Sequence, residues 1–246
     1  MIYTRSIPAL LCWSIAASTA VPALAGPVGL QNATATFSQS IGANFPASTM
    51  IDGNFSGALG QGWAIFDGAG ALAQTAVFET TADTGFAGGT LLTFTLSQLY
   101  TAAPQHTLGR FRLSFTTDNR ADFADGLQTG GDVTANWTVL TPTSASATNG
   151  ATLAILGDGS VLASGTSPST SVYTITALTS LTGITGFRLE ALEDPSLPGS
   201  GPGRQPANGN FVLTEFEVNA DVAVPEPASL ALLSAGFALF LARRPR

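Results

Sequence analysis

Four aspartates, Asp118, Asp122, Asp125 and Asp132, gather in one polar stretch. Clustered carboxylates suit a hard cation, but their spacing departs from the calcium-loop order Asp-x-[Asp/Asn]-x-[Asp/Asn]-Gly, so a solvated loop is the better reading. His106 is the single histidine and Cys12 the single cysteine. Any zinc set or Ser-His-Asp arrangement would have to be built on His106, for which a structural or surface role fits better. Glu190, Glu193 and Asp194 are acids of the kind used in glycoside hydrolysis, which needs two carboxylates about 5 to 9.5 Å apart in a cleft; their positions suit a strand end and the following loop. Trp63 and Trp137 offer flat apolar faces that stack on sugar rings or serve as sandwich core. Trp63 and Arg110 are the candidate ligand contacts, and no catalytic set stands out.

The elements that must position these residues read as strands. Candidates follow one another over 74–81, 91–96, 108–116, 133–140, 151–156, 160–164, 172–178, 186–192 and 210–218, with turn residues between them, a pattern of sandwiches and barrels. In 108–115, Phe111, Leu113 and Phe115 alternate with Arg110, Arg112 and Ser114, so one face is buried and the other, arginines included, is solvated. Gly157-Asp158-Gly159 supplies the positive φ angles of a tight hairpin. Residues 118–132 and the Pro- and Gly-rich 193–208 lack strand pattern and read as long loops, where binding usually sits.

The ends differ from the middle. Arg5, an apolar run from Ile7 to Ile15 and small residues closing on Ala23-Leu24-Ala25 describe a signal peptide cut by signal peptidase after Ala25. Cys12 leaves with it, so the mature chain forms no disulfide. At the far end Val224-Pro225-Glu226-Pro227 precedes an uncharged run from Ala228 to Ala242, then Arg243, Arg244 and Arg246. At about 1.5 Å per residue that run reaches roughly 22 Å, a marginal transmembrane helix against a hydrocarbon core of about 30 Å. The prolines suit its first turn, and the arginines hold its end at the cytoplasmic face. The chain has no lysine; between residues 26 and 225 five arginines face fifteen acids, a balance of 5 minus 15, or −10. Phosphate binding draws on clustered cations, so nucleic acid is disfavoured as a partner.

Val-Pro-Glu-Pro, an apolar run and a terminal arginine cluster resemble the PEP-CTERM sorting signal of Gram-negative bacteria. The resemblance implies that an exosortase-type membrane protease recognises Pro225-Glu226-Pro227 during transient insertion in the inner membrane. It then releases or transfers the domain to the cell surface or exterior, in a setting of exopolysaccharide production.

The middle resembles the galactose-binding-like β-sandwich in its discoidin or coagulation-factor C-type form. Ala47-Ser48-Thr49-Met50-Ile51-Asp52-Gly53-Asn54 is similar to the loop that opens those domains, Trp63 follows where they have a tryptophan, and 211–218 is similar to their closing strand. Segments 89–96 and 106–114 are similar to a sandwich module of large planctomycete proteins that carry cytochrome-like domains. The resemblance implies an all-β, antiparallel jelly-roll over 26–222, between a signal peptide (1–25) and a sorting signal (223–246). It also implies a structural calcium ion held by the Asp52 carboxylate, an Asn54 carbonyl and the Glu215 carboxylate; the alternative is a plain turn and an edge-strand acid. The resulting expectation is an exported, non-enzymatic protein that binds or scaffolds exopolysaccharide, with a ligand-free matrix protein as the alternative and a hydrolase as the third reading.

Overall fold

The computed structural model describes residues 26–223. The expected signal peptide with its Ala25 site, the transmembrane helix over 228–242, and the sorting residues Pro225, Glu226, Pro227, Arg243 and Arg244 lie outside the described residues.

Twelve strands follow one another within the described span: β1 (Gly26–Pro27), β2 (Leu30–Ala35), β3 (Gln74–Thr84), β4 (Thr90–Gln98), β5 (Arg110–Thr116), β6 (Thr138–Val139), β7 (Pro142–Ala147), β8 (Ala151–Ile155), β9 (Ser160–Gly165), β10 (Ser171–Thr179), β11 (Ile184–Ala191) and β12 (Glu215–Val222). The only helical elements among the described residues are single 3-10 turns at Ala47–Met50, Arg120–Asp122 and Pro198–Ser200. Five strands form one sheet in the order β1-β12-β4-β10-β7; the other runs β2-β3-β11-β5-β9-β8, with β6 added alongside β5. All pairings are antiparallel. The chain is an all-β sandwich, as the strand spacing predicts.

Period-two alternation creates the core between the sheets. Phe94 of β4 is flanked in register by Ile175 of β10 and Val218 of β12, and Phe187 of β11 pairs with Phe115 and Phe78. Across the gap Phe78 stacks on Phe216 at 4.7 Å and Phe94 meets Phe187 edge-on at 5.4 Å. Such offset and edge-to-face contacts are the arrangements aromatic rings prefer.

Three departures from the sequence pattern have physical causes. Of 133–140 only Thr138 and Val139 pair as a strand; Val133, Ala135 and Trp137 alternate like strand residues but cover Val77 and Phe123 on the outer side of the second sheet. In 210–218 the ladder begins only at Glu215, because Leu213 forms a separate bridge with Trp63. In the hairpin turn Gly159 alone takes a positive φ, +78°, while Gly157 does not. β2 and β7, rich in Asn, Ser, Ala and Thr, carry too little β-branched or aromatic character to stand out in sequence.

Candidate functional site

The loops at one end of the sandwich hold the closest match to the expected cation site. The 3-10 turn at Ala47–Met50 buries Ala47 and Met50 and leads into Asp52-Gly53-Asn54. There the Asn54 N–H donates to Asp52 Oδ1 at 2.8 Å, and Gly53 sits at φ +74°, a conformation that a Cβ would strain. β12 opens with Glu215, 3% exposed. Its Oε1 accepts the Gly53 N–H at 3.3 Å, and its Oε2 is buried with no partner. Burial pushes this carboxyl up to about 7; the charges of Asp52 and Glu217 add to the rise, and the Gly53 N–H opposes it. A recess of about 180 Å³ bordered by Ile51, Gly53 and Glu215 opens at this point.

The structure thus brings Asp52 and Glu215 to one corner. An orphaned carboxylate oxygen beside a second carboxylate is chemistry that fits a hard, oxygen-seeking cation. The Asn54 side chain is engaged elsewhere, accepting from Ser56 N–H at 3.0 Å and donating to Gln61 Oε1 at 2.9 Å, so what it can offer is its main-chain carbonyl. Gln61 also donates to Asp52 Oδ2 at 3.1 Å and to Thr49 O at 3.0 Å, fixing the turn. Among the described residues no three or more Asp, Glu, His or Cys side chains are grouped so as to hold a metal ion by themselves. A cation here would therefore complete its shell with main-chain carbonyls and water.

Of the two candidate ligand contacts, Trp63 is corrected by its surroundings, whereas Arg110 stays partly exposed. Trp63 is fully buried. Its Nε1 donates to Phe37 O at 3.0 Å and its ring meets Phe211 at 5.2 Å, so it is core and presents no face to a sugar. Arg110 donates through Nη2 to Asp158 at 2.8 Å, through Nη1 to Asp194 at 3.4 Å and through Nε to Ser160 Oγ at 3.1 Å. Hydrogen bonds from Ser160, with the Arg110 charge adding, hold Asp158 down at about 2. All three Arg110 nitrogens are committed within the protein.

The other acids also serve structure. Arg112 grips Glu190 through Nε at 2.8 Å and Nη2 at 3.0 Å, and Arg188 reaches the same carboxylate at 3.1 Å while lying 5.3 Å from the Trp137 ring centroid. Glu193 accepts the Ala73 N–H at 3.1 Å. In the polar loop Asp118 accepts from Asn136, Asp125 from Leu127 and Asp132, and Asp132 from Thr134. This loop lies across the second sheet, where Phe123 packs so closely on Gly186 that a Cβ there would come within 2.5 Å of its ring. His106 contacts Ala103 O and Pro104 O through Nδ1 and stands edge-on to Tyr100; burial lowers its pKa. One residue not singled out by the sequence does belong to this end of the molecule: Arg204, 7% exposed, beside a cavity of about 350 Å³.

Beyond β12, which ends at Val222, the C-terminal segment is decisive. Residues 223–246 match the PEP-CTERM protein-sorting motif. The motif marks the chain for export and transient membrane sorting toward the cell surface, with processing by an exosortase-type membrane protein. No curated protein sequence matches the chain. Among solved structures the chain is similar to CBM32-3 from a family 31 glycoside hydrolase from Clostridium perfringens, at 11% identity over 77% of this chain and 94% of that one, with a TM-score of 0.42. It is also similar to a chain of the Streptococcus pneumoniae beta-galactosidase BgaA, at 11% identity over 81% and 92% of the two chains, with a TM-score of 0.45.

Proposed function

We propose that the chain is an exosortase-sorted protein of the cell surface or matrix, exported across the inner membrane of a Gram-negative bacterium after signal peptidase cleavage at Ala25. Its sandwich binds or scaffolds extracellular carbohydrate without catalysing a reaction, and Asp52, Glu215 and the Asn54 carbonyl hold a structural Ca2+. The observation that carries the reading is the sorting motif at 223–246, which begins directly after the last strand. The unpartnered Glu215 oxygen beside Asp52 supports the calcium. A non-enzymatic role is supported by the engagement of Glu190, Glu193 and Asp194 in ion pairs and hydrogen bonds. Carbohydrate as ligand is supported by the exopolysaccharide setting that the resemblance of the C-terminal segment implies and by the openings beside Glu215 and Arg204.

Replacing Pro225, Glu226 and Pro227 with alanine in the producing organism tests the sorting reading. The expected result is a longer species retained in the membrane fraction; unchanged processing and release would overturn it.

A further inference from the structure

Arg110, Arg112, Arg120 and Arg188 each have a carboxylate within 4.0 Å; among the described arginines Arg204 alone has none. It is nevertheless buried, donating through Nη1 to Thr166 O at 2.9 Å and through Nη2 to Gly165 O at 2.8 Å. A guanidinium carries five N–H donors, so carbonyls satisfy only part of it and leave its charge uncancelled. The neighbouring Tyr173 does not cancel it either: its hydroxyl donates to Leu108 O at 3.0 Å, and burial raises its pKa, keeping the phenol neutral. A buried charge without a counter-ion is costly unless an opposite charge can reach it.

The cavity beside Arg204 gives that access. Its volume of about 350 Å³ is bordered by Ser164, Ser167, Ser196, Pro198 and Pro206 as well as Arg204. Ser167, which also borders the cavity, has its Oγ buried with no hydrogen-bond partner. Asp194, on the same loop, is already engaged by Ser196 at 2.6 Å and by Arg110. Small-molecule sites begin at roughly 300 Å³, so the space admits one sugar ring. Serine hydroxyls match ring hydroxyls, proline faces match ring C–H groups, and the guanidinium fork matches a carboxylate. The surplus of acids over the whole domain argues against a long polyanion, whereas a single negative charge needs only the local cation, because screening confines repulsion to about 8 Å at physiological salt.

We propose that this cavity binds a single carboxylate-bearing sugar, a uronic acid residue at the end of an otherwise neutral glycan, with Arg204 as its counter-charge. The assignment rests on the carbohydrate reading above and narrows it. Calorimetric titration of the full-length chain with D-glucuronate, D-galacturonate, D-glucose, D-galactose and acetate tests it. Uronates are expected to bind at least about tenfold tighter than the parent hexoses and than acetate, the gain of one charge-assisted contact. Arg204→Gln should remove that preference. Because Arg204 also ties down two carbonyls, Ser164→Asp, at an exposed position on β9, is the second variant: it places a negative charge at the cavity and should weaken uronate binding by about tenfold or more without changing the melting temperature. Equal binding of uronate and hexose, or uronate binding unchanged in Ser164→Asp, would overturn the uronate site and leave the carbohydrate reading standing. Acetate binding as tightly as uronate would overturn the sugar assignment. Binding of none of these sugars, together with no binding to the organism's own exopolysaccharide, would overturn both readings.

Discussion

The outer face of the second sheet and the loop end of the sandwich handle charge in opposite ways. On the sheet face three arginines, Arg110, Arg112 and Arg188, meet three carboxylates, Asp158, Glu190 and Asp194, and Trp137 lies against the last of the cations. At the loop end Glu215 and Arg204 are each more deeply buried, and each lacks an opposite charge. The chain pairs partly exposed charges with one another and leaves Glu215 and Arg204, both deeply buried, without an opposite charge; Glu79, buried to the same degree as Arg204, is instead satisfied by the amides of Gln31 and Asn32. Matched charges close a surface, whereas buried unmatched ones mark where an ion or ligand is wanted.

The sharpest way to break this contrast is pH. In the cation-free chain Glu215 titrates at about 7 when folded, against an ordinary value of 4.5. The folded state therefore holds the proton more tightly. This stabilisation is complete below 4.5 and is lost as pH rises through about 7, a difference of about 3 kcal/mol. Melting curves in chelator should show the wild type losing stability across that window relative to Glu215→Gln; identical pH profiles would show that the carboxylate is not confined. Calcium comes next. At a hundredfold excess over its dissociation constant a ligand bound only by the folded state adds about 2.7 kcal/mol. The melting temperature should therefore rise with calcium in the wild type and barely move in Asp52→Ala; an unresponsive wild type removes the ion. The smallest effect belongs to the paired face. Glu190→Ala leaves Arg112 and Arg188 without their shared acceptor, and partial exposure reduces the cost to about 2 kcal/mol by denaturant midpoint. Wild-type stability in that variant would mean that the face is not closed by its ion pairs.

Sequence patterning reveals most of the sandwich wherever side chains alternate strongly. Phe111, Leu113 and Phe115 announce β5, and the alternation of Tyr173, Ile175 and Ala177 announces β10. It misleads at Val133, Ala135 and Trp137, whose alternation reflects packing on the outside of a sheet instead of membership in one. It is silent at β7, where Pro142 and a run of Thr, Ser and Ala give no hydrophobic period. Of the loop end, Asp52 and Glu215 are legible through resemblance, since nothing local relates residues so distant in the chain. Trp63 shows its type but not its depth, and depth decides between stacking platform and core. Arg204 sits in a stretch of Pro and Gly without periodicity, so only tertiary structure reveals that its charge is buried.

β12 also fixes where the two ends of the sandwich lie. It enters at Glu215, at the loop end, and leaves at Val222 about 23 Å away, at roughly 3.3 Å per residue. Gly26, the first residue of β1, pairs with Ala220 near that exit. Both termini of the sandwich thus emerge at one pole, and only Ala223 separates the last strand from Val224. The sandwich therefore presents Glu215 and Arg204 at the pole opposite the one at which the chain passes into the sorting motif.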